Sequence, residues 1–342
     1  MPVKTIGWQV QVHHCTFLIG CGGTDLQRVA DERTDVASLL SWAGEGGSDI
    51  ENYSRISAHA CFECAAHALA ANMLKAGAEN DALDGIFKDA GRYMCAMWAM
   101  HAHVTGGLTL PRLKEICAAS GLLSPGRARA LLLYLRYLGY VESAGRDGNK
   151  LAHYTPTENF LRAWRTHFRA ALDAARMVEP AVGLILQQLD APATLETLAR
   201  LQGEELIAMA KMSPAINTPY YRVFLNRYAG TQITMYFGAE GGEPFPTREP
   251  IAFSAAAIAK RFRVSRIHIK RMMDQAEQEG FVSRKGDGAI VLEESLRAAM
   301  RESYAMQLTR LLSQAARALS ASRVSLNPQE VSFSPVQPSP PP

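Results

Sequence analysis

The sequence lacks the features that mark several large classes of protein. No stretch of its 342 residues approaches about eighteen consecutive apolar residues, so neither a transmembrane helix nor a membrane partner is expected. The N-terminus does not show a basic start, an apolar core and a small-residue cleavage site, the pattern of a secretory signal. Six cysteines in a chain without that signal are typical of reduced thiols, which predicts a cytoplasmic protein.

Motifs for catalysis are also missing. The sequence has no serine or cysteine nucleophile motif, no paired-carboxylate signature and no phosphate-binding loop, so neither an enzyme nor a cofactor is predicted. One stretch, "HACFECAAH", carries the zinc-ligand types His59, Cys61, Cys64 and His67. Structural zinc sites normally draw two ligand pairs from separate segments, whereas these four residues fall within one predicted helix. Packing between helices is the favoured interpretation, and no metal site is predicted.

Positive charge is concentrated in two places, although the net charge is only +3. Residues 253–286 hold 8 basic and 3 acidic residues, and residues 110–150 hold 7 basic and 3 acidic ones. Residues 1–90, by contrast, hold 6 basic and 12 acidic residues. Two basic segments in a nearly neutral chain predict two local contacts with an anionic partner.

The hydrophobic pattern predicts a mainly α protein. Segments rich in Ala, Leu and Met predict helices over residues 54–76, 86–104, 157–177, 180–190, 193–211, 217–239 and 293–320. Strand signals occur only near residues 140–155 and 281–292. Glycines and scattered polar residues interrupt any period over residues 1–50, which predicts a mobile leader that folding does not need. Residues 322–342 are proline-rich and are expected to be disordered.

An internal repeat is the most informative feature. The stretch "SPGRARALLLYLRYLGYV", residues 124–141, aligns without gaps with "SRIHIKRMMDQAEQEGFV", residues 265–282, at an offset of 141 residues. A short predicted helix precedes each stretch, and a hairpin with a glycine turn follows each. Self-similarity of this kind indicates a duplicated structural unit.

Each unit therefore reads helix, turn, helix and hairpin, and it resembles the winged helix-turn-helix of bacterial transcriptional regulators, broadly of the MarR and GntR families. The resemblance covers about residues 86–170 and 217–305, and "AIAKRFRVSRIHIKRMMDQAEQEGFV" matches its pattern best. It implies two winged helix-turn-helix units with small β-hairpin wings, joined by a helical middle segment. The expected domains are a leader over 1–50, helices plus the first unit over 51–156, a helical connector over 157–216, the second unit with flanking helices over 217–321, and a tail over 322–342.

The second unit has the residues that a DNA-reading helix needs. Ser265 stands where the helix should begin, because its hydroxyl can accept from a free backbone N–H. Apolar residues at helical spacing mark a buried face: Ile269, Met272, Met273 and Ala276. At about 100° per residue, that face leaves Ile267, Arg271, Gln275 and Gln278 on the far side.

The far side matches the chemistry of base edges in the major groove. Arginine can bridge two acceptors of guanine, glutamine can pair with adenine, and isoleucine can touch the thymine methyl group. Cations before the helix and at the hairpin turn are suited to phosphates. The DNA-contact residues predicted in the second unit are Lys260, Arg261, Arg263, Ser265, Arg266, Ile267, His268, Lys270, Arg271, Gln275, Arg284 and Lys285.

The corresponding helix of the first unit differs in character. Its outward positions carry Gly126, Ala130, Tyr134 and Tyr137, with Leu133 beside them. A helix that is apolar nearly all round is typically buried, so we expect it to be substantially covered by a helix of the 54–104 segment or by a second chain, with at most its Arg127 end free. The residues of this unit that suit DNA are Arg127, Arg129, Arg146 and Lys150.

Together these features predict a sequence-specific DNA-binding transcriptional regulator, with the second unit as the main reader of double-stranded DNA. The alternative is a tandem winged-helix module for protein interaction or replication that touches DNA only secondarily. An enzyme or metalloprotein would depend on the Cys/His stretch alone. The sequence leaves open whether the chain forms a homodimer and whether it binds a small-molecule effector.

Overall fold

The chain folds mainly into helices, with two small antiparallel sheets. A computed structural model describes residues 35–43, 50–119, 123–146, 151–212, 218–241, 244–286 and 288–326. The helices are α1 Val36–Leu40, α2 Ile50–Ser57, α3 Phe62–Glu79, α4 Asp81–Ile86, α5 Ala90–Val104, α6 Leu110–Ala119, α7 Pro125–Tyr137, α8 Glu158–Ala175, α9 Gly183–Gln188, α10 Pro192–Met212, α11 Gly230–Ala239, α12 Ala255–Arg261, α13 Arg266–Gln278 and α14 Glu294–Leu326. The strands are β1 Leu108–Thr109, β2 Val141–Arg146, β3 Ala152–Pro156, β4 Ile251–Ala252, β5 Val282–Arg284 and β6 Ala289–Leu292.

Side-chain caps explain where several of these helices begin. The Asn80 side chain accepts hydrogen bonds from the backbone N–H groups of Ala82 and Leu83 at the start of α4. The Asp89 carboxylate accepts from the N–H of Arg92 at the start of α5. Each cap satisfies donors that the first turn of a helix leaves unpaired, so short polar residues set the boundaries between consecutive helices.

The structure repeats itself in the way the sequence alignment predicts. The first half runs α5, β1, α6, α7, β2, β3, α8, and the second runs α11, β4, α12, α13, β5, β6, α14. The strand orders are β1-β3-β2 and β4-β6-β5, and all pairings are antiparallel. Helices α7 and α13 have the same length and lie 141 positions apart. Two copies of one helix–hairpin arrangement are therefore present.

The joint between helix and hairpin is the same in both copies. Gly139 and Gly280 have φ values of 66° and 68°, a left-handed conformation that glycine adopts without steric cost. The next N–H groups, those of Tyr140 and Phe281, donate back to carbonyls in the last turn of the helix, over 2.9 and 2.8 Å. The aligned "LGYV" and "EGFV" stretches are thus the same structural element.

The helices predicted as a connector lie inside the fold instead of between two bodies. From Val36 onward the chain forms one compact unit. Helix α8 packs on α3 and α14, and α10 packs on α5 and α14. Trp164 and Phe168 of α8 are both fully buried. The described part of this segment, residues 157–212, therefore supplies core surface, and it is not a spacer that sets the distance between the two halves.

The expected leader needs correction, because its last residues belong to the core. Leu39 and Trp42 are 0% and 1% exposed, and the Arg55 guanidinium lies 3.7 Å from the centroid of the Trp42 ring. Helix α1 packs against α14. One large apolar side chain on this short helix and another in the turn after it bury enough surface to hold the segment in place. Residues 1–34 and 44–49 of the expected leader lie outside the described residues.

Two other predicted boundaries differ from those in the structure. The helix expected over 217–239 is divided into a π-helical turn, Tyr221–Leu225, and α11, which begins after Ala229 with its φ of 63°. The proline-rich tail was expected from residue 322, but α14 continues to Leu326. Residues 327–342 lie outside the described residues. None of the helices in the described ranges is long and apolar enough to cross a membrane.

A polar group at the centre of the helical core has a consequence for stability. The ring of His167 on α8 is 2% exposed and packs against Trp164 and Phe168, and its Nε2 lies 3.2 Å from the Tyr93 hydroxyl. Burial lowers the pKa of His167 to about 4. The folded protein therefore holds this ring neutral, whereas in the unfolded chain it titrates near its usual value.

This difference predicts a loss of stability in acid. Because the folded-state pKa of His167 is depressed, its contribution is present above about pH 6.5 and falls away as the pH drops toward 4. About 2 kcal/mol should be lost between pH 6.5 and 5, measured by urea denaturation. His167→Phe should remove that part of the loss; burial also lowers the pKa values of His101 and His103, which account for a remaining slope. Identical pH profiles for the variant and the wild type would contradict this account.

Candidate functional site

The basic stretch of the second unit forms a helix–turn–helix whose turn is locally constrained. Ser254 caps α12, and Ser265 caps α13 by accepting from the N–H of His268 over 3.1 Å. Arg263, between the two helices, has a φ of 53°, a left-handed conformation that is uncommon for a residue with a side chain. The N–H of Val264 then donates to the carbonyl of Ala259 over 2.9 Å. These bonds fix the angle at which α13 leaves the turn.

Helix α13 faces inward and outward as its periodicity predicts. Ile269, Met272, Met273 and Ala276 are all 2% exposed or less, which confirms the predicted buried face. On the opposite side Ile267 is 62% exposed, and Arg271 and Gln278 are also exposed. The remaining outward residue, Gln275, is half-buried because its Oε1 accepts from Arg227 over 2.9 Å.

Not all the predicted contact residues have free charges. Arg263 pairs with Asp81 of α4 over 2.7 Å, and the His268 Nε2 contacts the Tyr228 carbonyl over 2.7 Å. Arg261 lies over the rings of Tyr236 and Phe262. Among the predicted contact residues of this unit, the exposed cations for which no side-chain hydrogen bond or ion pair is found in the described ranges are Lys260, Arg266, Arg271 and Lys285.

Sequence reasoning missed the part that Asp274 plays. It follows the acid-free stretch directly and lies next to Arg271 on the outward side of α13. Its carboxylate binds Lys270 over 2.7 Å and Arg284 of the hairpin over 2.6 Å. These two hydrogen bonds, the one from Lys270 being the larger cause, lower the pKa of Asp274 below its usual value. The spacing of Lys270 and Asp274, four residues apart on a helix, could have indicated this pair.

The described residues of this chain cover the outward side of helix α7 only near Tyr134, so the expected cover by residues 54–104 is largely wrong, and cover by a second chain stays a prediction. Tyr137 is 85% exposed and Leu133 is 49% exposed, so in this chain the apolar outward side is open. Only Tyr134 is half-buried, with the Arg92 guanidinium 4.7 Å from its ring centroid. Helices α5 and α6 pack against the opposite, inward side of α7, where residues such as Leu131 and Leu135 are buried.

The cations of the first unit also differ from expectation. Arg127, expected to be the free end of α7, is tied to the buried carboxylate of Asp89 over 3.0 Å. Arg129 is exposed, and no ion pair is found for it in the part of the chain that the structure describes. Arg146 is the last residue of β2, and its side chain lies outside the described part of the chain. Lys150 lies outside the described residues as well. The first unit thus presents mainly apolar groups where the second presents cations.

One side chain links the two units. The guanidinium of Arg92 lies 4.7 Å from the ring centroids of both Tyr134 and Tyr228. The carbonyl of Tyr228 in turn contacts His268 near the start of α13. Stacking of this kind is typically worth about 0.5–2 kcal/mol per cation–ring pair. Arg92 therefore joins Tyr134 of α7 to the segment that contacts the start of α13.

The histidines of the Cys/His stretch contact backbone groups. The Nδ1 of His59 accepts from the N–H of Cys61 over 3.1 Å, and the Nε2 of His67 lies 3.1 Å from the carbonyl of Ala239. Within the described ranges, no group of three or more His, Cys, Asp or Glu side chains is placed to hold a metal ion.

Comparison with known proteins adds no relative to this description. No protein-family model, no curated protein and no solved structure matches the chain.

Proposed function

We propose that this protein is a sequence-specific DNA-binding transcriptional regulator of the winged helix-turn-helix type, with α13 as its main reading helix. The observation that carries the proposal is the outward side of α13. There Ile267 and Arg271 stand exposed on a rigid helix, and cations without a described ion pair lie around them. Each repeat also has the element order of a winged helix, with a hairpin after the second helix of the motif.

The exposed groups divide into reading and positioning roles. Arg271 offers paired donors that match the two acceptors of guanine, and Ile267 can contact a thymine methyl group. Lys260, Arg266 and Lys285 flank this pair and suit phosphates, which set the register of a helix in the groove without reading sequence. Gln275 is a weaker candidate than its sequence suggests, because its amide oxygen is held by Arg227.

The open side of α7 favours a second candidate function. Leu133 and Tyr137 are apolar and exposed, and neither offers the paired donors that base reading requires. A tandem winged-helix module for protein interaction or replication, with secondary DNA contact, would use that surface as its main one. The two candidates differ in how strongly salt weakens duplex binding, since counterion release sets that dependence.

Titration of a duplex over a range of salt concentrations tests the proposal. Four cations that each release about 0.9 counterions predict a slope near 4 in a plot of log affinity against log salt. Replacing all four with alanine should remove most of this slope; the variant is Lys260, Arg266, Arg271 and Lys285 to Ala. The matched control changes four exposed cations elsewhere: Lys75, Arg162, Arg169 and Arg176 to Ala. A flat dependence in the wild type, or equal losses in both variants, would contradict the proposal.

Removal of Asp274 tests the proposal through an expected gain in DNA affinity. Asp274→Ala removes the acid that holds Lys270, whereas Arg284 keeps an ion pair with Glu277 over 3.2 Å, so one more cation becomes able to meet phosphates. Binding to duplexes of any sequence should tighten, and the salt slope should rise by about 1. Asp173→Ala, which frees Arg176 on α8, is the control and should leave both quantities unchanged. Weaker binding by Asp274→Ala would show that the acid itself contacts DNA.

A further inference from the structure

The outward side of α7 combines exposed apolar groups with exposed cations. Tyr137 is 85% exposed and Leu133 is 49% exposed. At about 100° per residue, small residues lie beside this pair, and two arginines line one edge, about 40–60° around the helix from Leu133. All of these residues are exposed. We refer to them together as the α7 face, which consists of Gly126, Arg129, Ala130, Leu133, Arg136 and Tyr137.

The ring of Tyr137 is open to a stacking partner. In the part of the chain that the structure describes, no aromatic ring and no cation is found packed against it. The neighbouring rings are already in use, since the Arg136 guanidinium lies 5.7 Å from the ring centroid of Tyr154, and that of Arg92 lies 4.7 Å from that of Tyr134. A flat group can therefore stack on Tyr137 without displacing another side chain.

Positive charge without a paired acid surrounds this ring. Helix α7 contains three arginines and no acid, and the first acid after it in the chain is Glu142 of β2. Arg127 is held by Asp89, but no ion pair or side-chain hydrogen bond is found for Arg129 or Arg136 in the described ranges. The α7 face therefore matches a partner that combines negative charge with flat, weakly polar rings.

A strand of unpaired nucleotides has this combination, whereas a duplex does not present it. The bases of a duplex are stacked on one another, and its grooves show polar edges for which Leu133 and Tyr137 have no paired donors. Unpaired bases instead stack on exposed aromatic side chains while a positive surface follows their phosphates. The apolar groups of the face also suit deoxyribose better than ribose, whose 2′-hydroxyl is recognised through hydrogen bonds.

A second copy of this chain suits the α7 face less well. Its two large apolar side chains together expose on the order of 300 Å², whereas a stable interface buries about 800 Å² on each partner. A two-fold interface would place the face against itself, so Arg129 and Arg136 would lie near the same arginines of the other copy. Like charges brought together in this way oppose association.

We propose that the α7 face binds single-stranded DNA. A base stacks on the ring of Tyr137, Leu133 contacts the apolar part of a neighbouring nucleotide, and Arg129 and Arg136 bind phosphates. This activity goes beyond the reading of duplex DNA by α13, because it uses another helix and another form of DNA.

Two oligomers of twelve residues form a matched pair of probes, one of deoxythymidine and one of abasic deoxyribose, because they carry the same phosphates. Fluorescence anisotropy with the full chain should show the deoxythymidine oligomer binding at least about fivefold more tightly. A uridine RNA oligomer of the same length should bind at least about threefold more weakly than the DNA. Equal binding of the abasic oligomer overturns the stacking, and equal or tighter binding of the RNA overturns DNA as the partner.

Substitutions on the α7 face test the assigned residues. Tyr137→Ala should weaken binding of the deoxythymidine oligomer by about fivefold or more, whereas Tyr137→Phe keeps the ring and should stay within about twofold of the wild type. Replacing Arg129 and Arg136 with alanine should lower the salt slope by about 1.4, since each single-strand phosphate contact contributes about 0.7. The matched control replaces the exposed Arg162 and Arg169 with alanine and should leave the slope unchanged. Unchanged binding by Tyr137→Ala overturns the proposal.

The same variants separate the α7 face from the proposed function of α13. In the variant of α13 with four alanines, Tyr137→Ala should still weaken single-strand binding, and in the wild-type background it should leave duplex affinity unchanged. Equal weakening of duplex and single strand overturns the proposal, as does a wild-type dimer in sedimentation that Tyr137→Ala converts to a monomer. A wild type that binds the single strand but no duplex supports the α7 face and overturns the proposed function alone.

Discussion

Replacing Trp42 with alanine is expected to lower the free energy of unfolding by about 3–5 kcal/mol. The indole ring is 1% exposed, so its removal leaves a large cavity where α1 packs against α14. Arg55 would also lose the ring over which its guanidinium lies. Chemical denaturation followed by circular dichroism measures the change.

The control for Trp42→Ala is Leu133→Ala, since Leu133 is half-exposed on α7. Its effect should remain within about 0.5 kcal/mol. If Trp42→Ala were equally mild, residues 35–43 would be the dispensable leader that their composition predicts, and the described packing of α1 would be wrong.

Arg271→Ala is expected to weaken binding to the preferred duplex by about 1–3 kcal/mol and to relax the preference at one base pair. The side chain is exposed on the outward side of α13, so the fold should be unaffected. Competition titrations with duplexes that carry single base-pair changes measure both effects.

Lys285→Ala is the matched comparison for Arg271→Ala. Lys285 lies at the hairpin turn and suits a phosphate, so its loss should weaken all duplexes alike and reduce the salt slope by about 1. Arg263, the cation that the sequence suggests for this role, is less suitable because Asp81 already holds its guanidinium. Uniform weakening by Arg271→Ala as well would mean that α13 positions the protein without reading sequence.

Local patterns predicted much of this architecture. The two aligned stretches contain α7 and α13, and α13 begins directly after Ser265, as predicted. The inward face of α13 followed from helical spacing, because side chains three and four residues apart share one side of a helix. The glycines before Tyr140 and Phe281 also marked the joint to the hairpin correctly.

Long-range pairs were beyond the reach of such patterns. Arg263 and Asp81 are 182 residues apart in the chain, and Gln275 and Arg227 are 48 residues apart. Each meets its partner only because the fold brings α4 to the turn before α13 and the π-helical turn to α13 itself, which no local period reveals. The distribution of free charge on the candidate site therefore had to come from the structure.

Composition misled in two places. Residues 36–43 read as part of a polar leader, yet Leu39 and Trp42 are enough to anchor a short helix. Helix α7 is apolar all round, which predicts burial, yet Leu133 and Tyr137 remain exposed in this chain. Apolar content decides whether burial is favourable, and the available neighbours decide which side is buried.

The central claim, that α13 reads duplex sequence, is tested most directly by selecting bound duplexes from a random pool with the wild type and with Arg271→Ala. The account predicts that the wild type enriches one shared motif and that the variant loses the preference at a single position within it. A wild type that enriches no motif, or a variant that enriches the same motif unchanged, would contradict it.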